Sequence, residues 1–233
     1  MQVKLIAHSQ LSDSFGYVPG ELNGQVIALS AIRTCYSHNK PSEIYELEGE
    51  KYFGYKAKDG KEGTEADRLL RHIVNSGHTS TLEHITFTFA IEGVSRSLLA
   101  QLTRHRHFSY SVQSQRYVKL ESASKSKGFG YVTPASIDKH DNTLDMYTIA
   151  MERIQEIYDD LRKNGVLAED ARYILPNAAT CNLVLTGNLR SILEFYGKRN
   201  PNSHAQWEIQ DLAEKMKNEV ISVENWTEAF FKA

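Results

Sequence analysis

Apolar residues recur with a helical period in the first third of the chain. Thr64 and Asp67 have the spacing of a capping box, and the next apolar positions share one face: Leu69, Leu70, Ile73 and Val74. Gly77 then ends the pattern, which predicts a helix over residues 64–77. The preceding stretch, Glu46–Gly63, is rich in Glu, Lys and Gly and predicts an exposed loop or edge.

Strict alternation of apolar and polar residues follows between His84 and Glu92. Its apolar positions are Ile85, Phe87, Phe89 and Ile91, and a period of two predicts a half-buried strand. Ser95 is placed to cap a short helix that carries Leu98, Leu99 and Leu102. Gln115–Leu120 is predicted to be extended, which makes the segment before it a connection.

The second half of the chain is predicted to be mainly helical. Glu121–Gly130 is predicted to be a mobile loop, and apolar spacings of three and four from Leu144 to Leu161 predict one long helix that ends at Asn164 and Gly165. Shorter elements are predicted as a helix over Ala168–Leu175, a strand or helix around Leu183–Leu185, a helix opening at Asn188 and a last helix from about His204. These elements define an α+β class.

Composition adds few constraints. The 233 residues are 41% hydrophobic and 24% charged, which is typical of a globular protein, and the net charge of -2 gives no global attraction to nucleic acid. The start lacks a secretory signal, and no window approaches the roughly 18 apolar residues of a membrane span. We therefore expect a cytoplasmic location. Cys35 and Cys181 lack CxxC spacing and are expected to be buried, reduced thiols.

One segment departs from this balanced charge. Between Gly93 and Leu120 there is no acidic residue, while the basic residues are Arg96, Arg104, Arg106, Arg116 and Lys119, joined by His105 and His107. Guanidinium groups bind phosphate through paired hydrogen bonds, and nearby hydroxyls such as Ser109, Ser111 and Ser114 can complete its shell. Composition alone leaves two interpretations open, a solvated basic face and an anion site.

The order of residues favours the anion site. The run RHRHFSYSVQSQRY, residues 104–117, resembles the signature of flavin-dependent thymidylate synthases: Arg-His-Arg, then Ser, then Ser-x-Arg. Further blocks that resemble this family follow its order, namely His78–His84, Ala171–Pro176, Asn188–Ser191 and Ser203–Ile209. The resemblance covers roughly residues 28 to 212. It implies the family's α+β fold, a single compact domain over residues 1–233 with a mixed or antiparallel sheet flanked by helices.

The resemblance also implies an activity, the reductive methylation of dUMP to dTMP. The carbon donor would be 5,10-methylenetetrahydrofolate, and NADPH-reduced FAD would supply the hydride. Carried over position by position, the expected FAD contacts are His78, Ser80, Arg104, His105, Arg106, Val112, Asn188 and Arg190. The expected dUMP contacts are Gln101, Arg104, Ser114, Gln115, Arg116 and Arg172.

Arg199 matches the family's catalytic arginine. It is expected to favour ionisation of uracil N3, because a fixed cation lowers the free energy of that anion and increases electron density at C5. The family builds its sites at the interfaces of a homotetramer, so we expect this assembly here as well.

Several absences and departures qualify the resemblance. Neither cysteine lies in the Pro-Cys-His setting of cysteine-using thymidylate synthases, so no cysteine nucleophile is expected. There is no GxGxxG, so NADPH is expected to bind transiently. Val112 stands where many family members have Gln or Glu, and Arg199–Ser203 is one residue longer than usual before the His-Ala-Gln-Trp block.

Other functions remain as alternatives. Arginines interleaved with Phe108, Tyr110 and Tyr117 also suit a module that binds RNA or single strands, with binding that weakens steeply with salt. A hydrolase is not supported, because Gly93–Ser97 is not a GxSxG elbow. His78 and His84 are poorly spaced to share a metal, and no metal site is expected. Taken singly, four residues suit ordinary helix or core roles: Arg172, Arg190, His204 and Trp207.

Overall fold

The structure of the protein is a computed structural model that describes residues 1–16, 18–19 and 23–232. Over these residues one sheet has the strand order β1-β2-β4-β3. Its strands are β1 (Gln2–His8), β2 (Thr86–Ser95), β3 (Ser109–Val112) and β4 (Thr180–Asn188). Strands β2 and β4 are antiparallel: the hydroxyl oxygens of Thr88 and Thr186 lie 2.9 Å apart, and Gly93 N–H donates to Asn182 Oδ1 at 2.9 Å. The predicted α+β class is confirmed.

α-Helices account for half of the remaining described residues. They are α1 (Asn23–Thr34), α2 (Ile44–Phe53), α3 (Glu65–Asn75), α4 (Arg96–Leu102), α5 (Ala135–Asp138), α6 (Asp141–Lys163), α7 (Ala168–Ala171), α8 (Leu189–Arg199) and α9 (Trp207–Val223). Short 3₁₀ turns lie at Asp13–Phe15, Pro41–Glu43, Thr79–His84, Arg172–Ile174 and Asn225–Phe230. None of the described helices combines the length and the apolar character that a membrane span requires.

The chain divides into two compact units, which are described separately. Unit 1 comprises Met1–Gln2, Ala90–Arg106 and Tyr110–Leu185. Unit 2 comprises Val3–Phe89, His107–Ser109 and Thr186–Ala233. Strands β2 and β4 each contribute residues to both units. The expectation of a single domain over residues 1–233 stays a prediction.

The core of unit 2 includes a cluster between α1, α2 and α3. Its members are Leu29, Ile44, Tyr52 and Ala66, with Phe53 and Leu69 packed against them. The predicted capping box of α3 is confirmed: Thr64 Oγ1 accepts the Asp67 N–H, and Asp67 Oδ2 accepts the Thr64 N–H at 2.7 Å. Phe87 and Phe89 of β2 are fully buried, and burial of each contributes roughly 1.5–3 kcal/mol.

Helix α2 corrects the prediction of an exposed loop over Glu46–Gly63. Its first half is helical, because α2 extends to Phe53. The buried face of α2 includes Glu48, which accepts a hydrogen bond from Arg33 Nε at 2.6 Å. A charged residue on the buried side hides the helical pattern, since sequence reasoning assigns it to the surface.

The core of unit 1 combines the end of β2 with α4 and β4. Ser95 caps α4 as predicted, because its Oγ accepts the Leu98 N–H at 2.9 Å. The fully buried residues include Val94, Leu98 and Leu102. The predicted long helix is α6, which buries Met151 and Tyr158.

The prediction that Gln115–Leu120 is extended is wrong. The segment is a turn, in which Val118 N–H donates to Ser114 O at 3.0 Å, and the strand lies earlier as β3. Tyr117 is 79% exposed, so the apolar residues here do not mark a buried face.

Glu121–Gly130 is a loop as predicted. It is joined to α6 by Arg162 Nε, which donates to Glu121 Oε1 at 2.9 Å.

The shorter elements largely follow the sequence. The predicted helix over 168–175 is α7 continued by the 3₁₀ turn Arg172–Ile174, and the segment around Leu183 is the strand β4. The helix predicted to open at Asn188 is α8, and Asn188 caps it with its Oδ1 accepting the Ser191 N–H at 2.9 Å. The last helix begins at Trp207 and not at His204, because Gln206 Oε1 accepts the Glu208 N–H at 3.0 Å and forms the cap.

Candidate active site

The Arg-His-Arg run continues directly from α4 in unit 1. Arg104 N–H donates to Gln101 O at 3.3 Å, and His105 N–H donates to Leu102 O at 3.0 Å. Tyr110 Oη lies within hydrogen-bond distance of two carbonyls, Leu102 O at 2.7 Å and His105 O at 2.9 Å. Burial raises the pKa of Tyr110 to about 12, so this hydroxyl stays a donor and holds the run in a tight turn.

Two arginines of this run present uncompensated charge. Arg104 and Arg106 are both exposed. Within the described residues, neither guanidinium has an ion-pair partner. Such arginines attract anions, and phosphate suits their planar donors.

A second pair of arginines in unit 1 converges on Glu169. Arg116 Nε donates to Glu169 Oε2 at 3.0 Å, and Arg172 Nε donates to the Glu169 main-chain oxygen at 3.0 Å. The fold therefore joins two predicted dUMP contacts that are far apart in sequence. Both arginines are bound through Nε, and their terminal nitrogens make no hydrogen bond to the residues that the structure describes.

The remaining predicted dUMP contacts of unit 1 lie just before Arg116. Ser114 Oγ accepts the Arg116 N–H at 3.2 Å. The Nε2 atom of Gln115 is buried and makes no hydrogen bond in the part of the chain that the structure describes. An unsatisfied buried donor costs about 1–3 kcal/mol, so a ligand oxygen here would remove that cost. Val112 is the half-buried last residue of β3.

In unit 2, Arg190 is held between two carboxylates. Its Nη1 donates to Glu83 Oε1 at 2.7 Å, and its Nε donates to Glu194 Oε1 at 3.1 Å. The hydrogen bond to Glu83 is the larger cause of a raised pKa for Arg190, followed by the one to Glu194. The guanidinium is therefore fixed at the first turn of α8.

A cavity of about 210 Å³ surrounds this arginine. It is lined by Glu83, His107, Asn188, Arg190, Ser191 and Glu194. Pockets for drug-sized ligands have roughly 300–1,000 Å³, so this one is large enough for only a portion of a dinucleotide. Asn188 lines the cavity at the start of α8, and because its Oδ1 accepts the Ser191 N–H, its Nδ2 is the donor it can offer.

Phe108 anchors the centre of the run in unit 2. It is 7% exposed, and its ring meets Phe195 edge-on with centroids 5.6 Å apart. It also lies close against Gly187 of β4, where a side chain would meet the ring. The buried ring therefore ties this part of the motif to β4 and α8.

Other predicted site residues lie outside the cavity around Arg190. His78 precedes the 3₁₀ turn Thr79–His84, which contains the exposed Ser80, and its Nδ1 lies 3.3 Å from Tyr36 Oη. Neither His78 nor Ser80 lines the cavity. Arg199 is the partly exposed last residue of α8. Across the described ranges, no three His, Cys, Asp or Glu residues come together as a metal site.

The two cysteines differ in environment. Cys181 is buried as predicted, with its Sγ donating to Val94 O at 3.6 Å. The prediction was wrong for Cys35, which is exposed just after the end of α1. Cys35 lies in the turn after α1, and composition alone does not reveal its exposure.

Three acidic residues of the site were missed by the sequence reasoning. Glu194 lies four residues after Arg190, a spacing that signals a helical ion pair. Glu83 lies inside the His78–His84 block but was not predicted to contribute to the site. Glu169 has no local signal, because an acidic residue in the first turn of a helix is ordinarily a solvated one.

The fold is that of enzymes that methylate pyrimidine nucleotides. The structure matches PolB, a UMP/dUMP methylase from Streptomyces cacaoi in a crystal with 5-Br dUMP, with a TM-score of 0.76, 23% identity and coverage of 99% of this chain and 94% of that one. It also matches ThyX from Helicobacter pylori in complex with FAD and dUMP, with a TM-score of 0.68, 26% identity and 100% coverage of both chains.

Sequence comparison gives the particular family. The family described as Thymidylate synthase complementing protein matches residues 20–224. A flavin-dependent thymidylate synthase of Clostridium tetani is 39% identical over 217 residues, which are 86% of this chain and 79% of that protein. One from Geobacter sulfurreducens is 44% identical over 148 residues, which are 64% of this chain and 62% of that protein. The chain belongs to the Thymidylate synthase complementing protein family, and the predicted resemblance is confirmed.

Proposed function

We propose that this protein is a flavin-dependent thymidylate synthase. It methylates dUMP to dTMP, with 5,10-methylenetetrahydrofolate as carbon donor, FAD as redox cofactor and NADPH as reductant. The observation that carries the proposal is the convergence of Arg116 and Arg172 on Glu169, because paired guanidinium groups are the usual protein ligands of a nucleotide phosphate. The relative from Helicobacter pylori, which has the same fold, was crystallised with FAD and dUMP.

The dUMP contacts that we propose all lie in unit 1. They are Gln101, Arg104, Ser114, Gln115, Arg116 and Arg172. The terminal nitrogens of Arg116 and Arg172 would bind the phosphate, while their Nε atoms stay on Glu169. The buried Nε2 of Gln115 would donate to a pyrimidine carbonyl oxygen. These donors match an anionic group and a base with carbonyl acceptors.

For FAD we propose the contacts that the resemblance implies. They are His78, Ser80, Arg104, His105, Arg106, Val112, Asn188 and Arg190. The cationic and amide donors suit the diphosphate and the polar edge of the flavin ring. When bound, FAD would supply the reducing equivalents for the methyl group. The cavity around Arg190 is small, which supports a site completed by other subunits of a homotetramer.

Arg199 is proposed as the catalytic residue. Its cation beside uracil N3 would favour loss of the N3 proton and raise the nucleophilicity of C5. This role removes the need for a protein nucleophile. Cys181 agrees with this, because its thiol is buried against Val94 O.

The single-strand-binding alternative loses two of its three stacking residues. Phe108 is buried, and Tyr110 is partly buried with its hydroxyl bound to main-chain carbonyls. Tyr117 is exposed, and the Arg116 guanidinium lies 5.5 Å from its ring centroid. One exposed ring is a poor platform for successive bases.

The proposal is tested with purified protein. We expect it to take up FAD in a fixed ratio to protein and to form dTMP from dUMP, NADPH and methylenetetrahydrofolate. A colourless protein that ignores added FAD and makes no dTMP would contradict the assignment, and salt-sensitive binding to single strands would favour the alternative.

Size-exclusion chromatography tests the proposed homotetramer. We also propose a cytoplasmic location, which fractionation of cells tests.

A further inference from the structure

Helix α8 ends at Arg199 because Asn200 and Pro201 follow it. Proline disfavours the helical conformation of the residue before it, and Asn200 is extended with φ −61° and ψ 164°. Pro201 also lacks the N–H that in a continuing helix would donate to the carbonyl of Gly197. The sequence therefore stops the helix and deprives its last turn of one donor.

The side chain of Asn200 replaces that donor. Its Nδ2 donates to Tyr196 O at 3.0 Å and to Gly197 O at 3.3 Å. Its Oδ1 accepts the Asn202 N–H at 2.9 Å. Asn200 is only 2% exposed, so water cannot take over these hydrogen bonds if the amide is removed.

The main chain of Asn200 fixes the segment that follows. Ser203 donates to Asn200 O through its N–H at 2.9 Å and through its Oγ at 2.6 Å. Ser203 O in turn accepts from Gln210 Nε2 of α9 at 2.9 Å. The main chain at Arg199 is thus continuous with a helix on one side and a hydrogen-bonded turn on the other.

We propose that Asn200 is the positioning residue of Arg199. By closing α8 immediately after Arg199, it holds the main chain from which that side chain reaches the pyrimidine. This inference rests on the proposed function, in which Arg199 favours ionisation of uracil N3. A fixed cation acts without reorganisation during the reaction, and displacing a catalytic group by about 1 Å can lower the rate on the order of 100-fold.

Four variants test the inference. Asn200→Ala removes the donor and the acceptor, whereas Asn200→Ser keeps a smaller, uncharged group that can still form a hydrogen bond. Asn202→Ala is the matched control, because Asn202 is exposed and its main-chain N–H makes the contact with Asn200. Arg199→Ala sets the reference for complete loss of the catalytic group.

The expected result is a selective loss in kcat. Asn200→Ala should lower kcat on the order of 10- to 100-fold, with KM for dUMP and FAD content close to wild type. Asn200→Ser should show a smaller loss, because its hydroxyl can still form a hydrogen bond, and it keeps the test valid if Asn200→Ala fails to fold. Asn202→Ala should behave as wild type. Assays are run well below the melting temperature of each variant.

The pH profile separates positioning from general damage. At higher pH uracil N3 ionises with less help from Arg199, so the loss in kcat of the Asn200 variants should shrink as the pH rises. A purely structural role would lower kcat by the same factor at every pH. Wild-type kcat in both Asn200 variants, or a loss that does not change with pH, overturns the inference. Normal turnover in Arg199→Ala overturns instead the proposed role of Arg199, so the two failures are distinguishable.

Discussion

Arg116 donates its Nε–H to the carboxylate of Glu169 at 3.0 Å. The two side chains are 50% and 44% exposed, and an exposed pair of this kind contributes only about 0–1 kcal/mol to stability. The main effect of the pair is therefore on the orientation of Arg116. Because Arg172 is bound to the main chain of the same residue, Glu169 orients two arginines at once.

Replacing Glu169 with Ala should weaken dUMP binding with little effect on turnover. The free Arg116 side chain would lose conformational freedom on binding, which costs about 0.5–1.5 kcal/mol and corresponds to an increase in KM of up to about tenfold. Steady-state kinetics with dUMP as the varied substrate measures this. Glu169→Gln is the control, because its amide oxygen can still accept from Arg116. An unchanged KM in Glu169→Ala would show that Arg116 needs no such support.

The cysteines should be dispensable for chemistry. We expect the double variant Cys35→Ala and Cys181→Ala to form dTMP with near-normal kcat, because the proposed mechanism uses no thiol nucleophile. Cys35→Ala should leave the melting temperature unchanged, since Cys35 is exposed, whereas Cys181→Ala should lower it, since Cys181 is buried. Loss of dTMP formation in a folded variant would revive a cysteine mechanism.

Glu224 should make the stability of the protein depend on pH. This carboxyl is 2% exposed and accepts from Gly24 N–H at 3.0 Å and from Trp226 Nε1 at 2.5 Å. Burial raises its pKa above the ordinary value of 4.5, and the two hydrogen bonds offset this only in part. The folded state thus binds the proton more tightly than the unfolded state, so the contribution of Glu224 is greatest below 4.5 and is lost as the pH rises through the folded pKa.

Glu224→Gln removes this titration. The free energy of unfolding of the variant, relative to wild type, should therefore increase as the pH rises from 4.5. Urea denaturation at a series of pH values measures the difference. Glu228→Gln is the matched control, since Glu228 is exposed in the same 3₁₀ turn and the same chemical change is made there at a site in contact with water. A constant difference for Glu224→Gln would mean that its folded pKa is not raised.

Gly187 should tolerate no side chain. A methyl group there would lie 2.5 Å from two ring carbons of Phe108, and overpacking of this kind costs about 1–3 kcal/mol. Thermal denaturation of Gly187→Ala should show this loss, and the added change Phe108→Leu should recover part of it. Gly197→Ala is the control, because nothing lies within 4 Å of the added methyl group. Equal melting temperatures for the two alanine variants would contradict the packing argument.

The elements that were predicted correctly are those in which the local sequence pattern agrees with the burial of the side chains in the structure. The caps at Thr64, Ser95 and Asn188 each combine a short polar side chain with a following apolar period, and all three are found in the structure. The alternation from Ile85 to Ile91 likewise corresponds to β2. Predictions were wrong where local signal and burial disagree. Glu48 is charged yet buried in α2, and Tyr117 is apolar yet exposed in a turn.

The sequence pointed to the arginines of the candidate site, but it did not show which residues hold them in place. The run of residues 104–117 identified Arg116, and a separate block identified Arg172. The residue that joins them, Glu169, could not be found, because its role depends on a contact between segments distant in sequence. Asn200 was likewise seen only as part of a lengthened segment, since its importance comes from burial and from the missing N–H of Pro201.

The two bonds at Glu169 have different sensitivity to evolutionary change. The oxygen that accepts from Arg172 belongs to the peptide backbone and is present whatever amino acid occupies position 169. The oxygen that accepts from Arg116 belongs to the side chain and disappears with most replacements. A single codon change can therefore alter the orientation of Arg116 and leave the main-chain contact of Arg172 in its place.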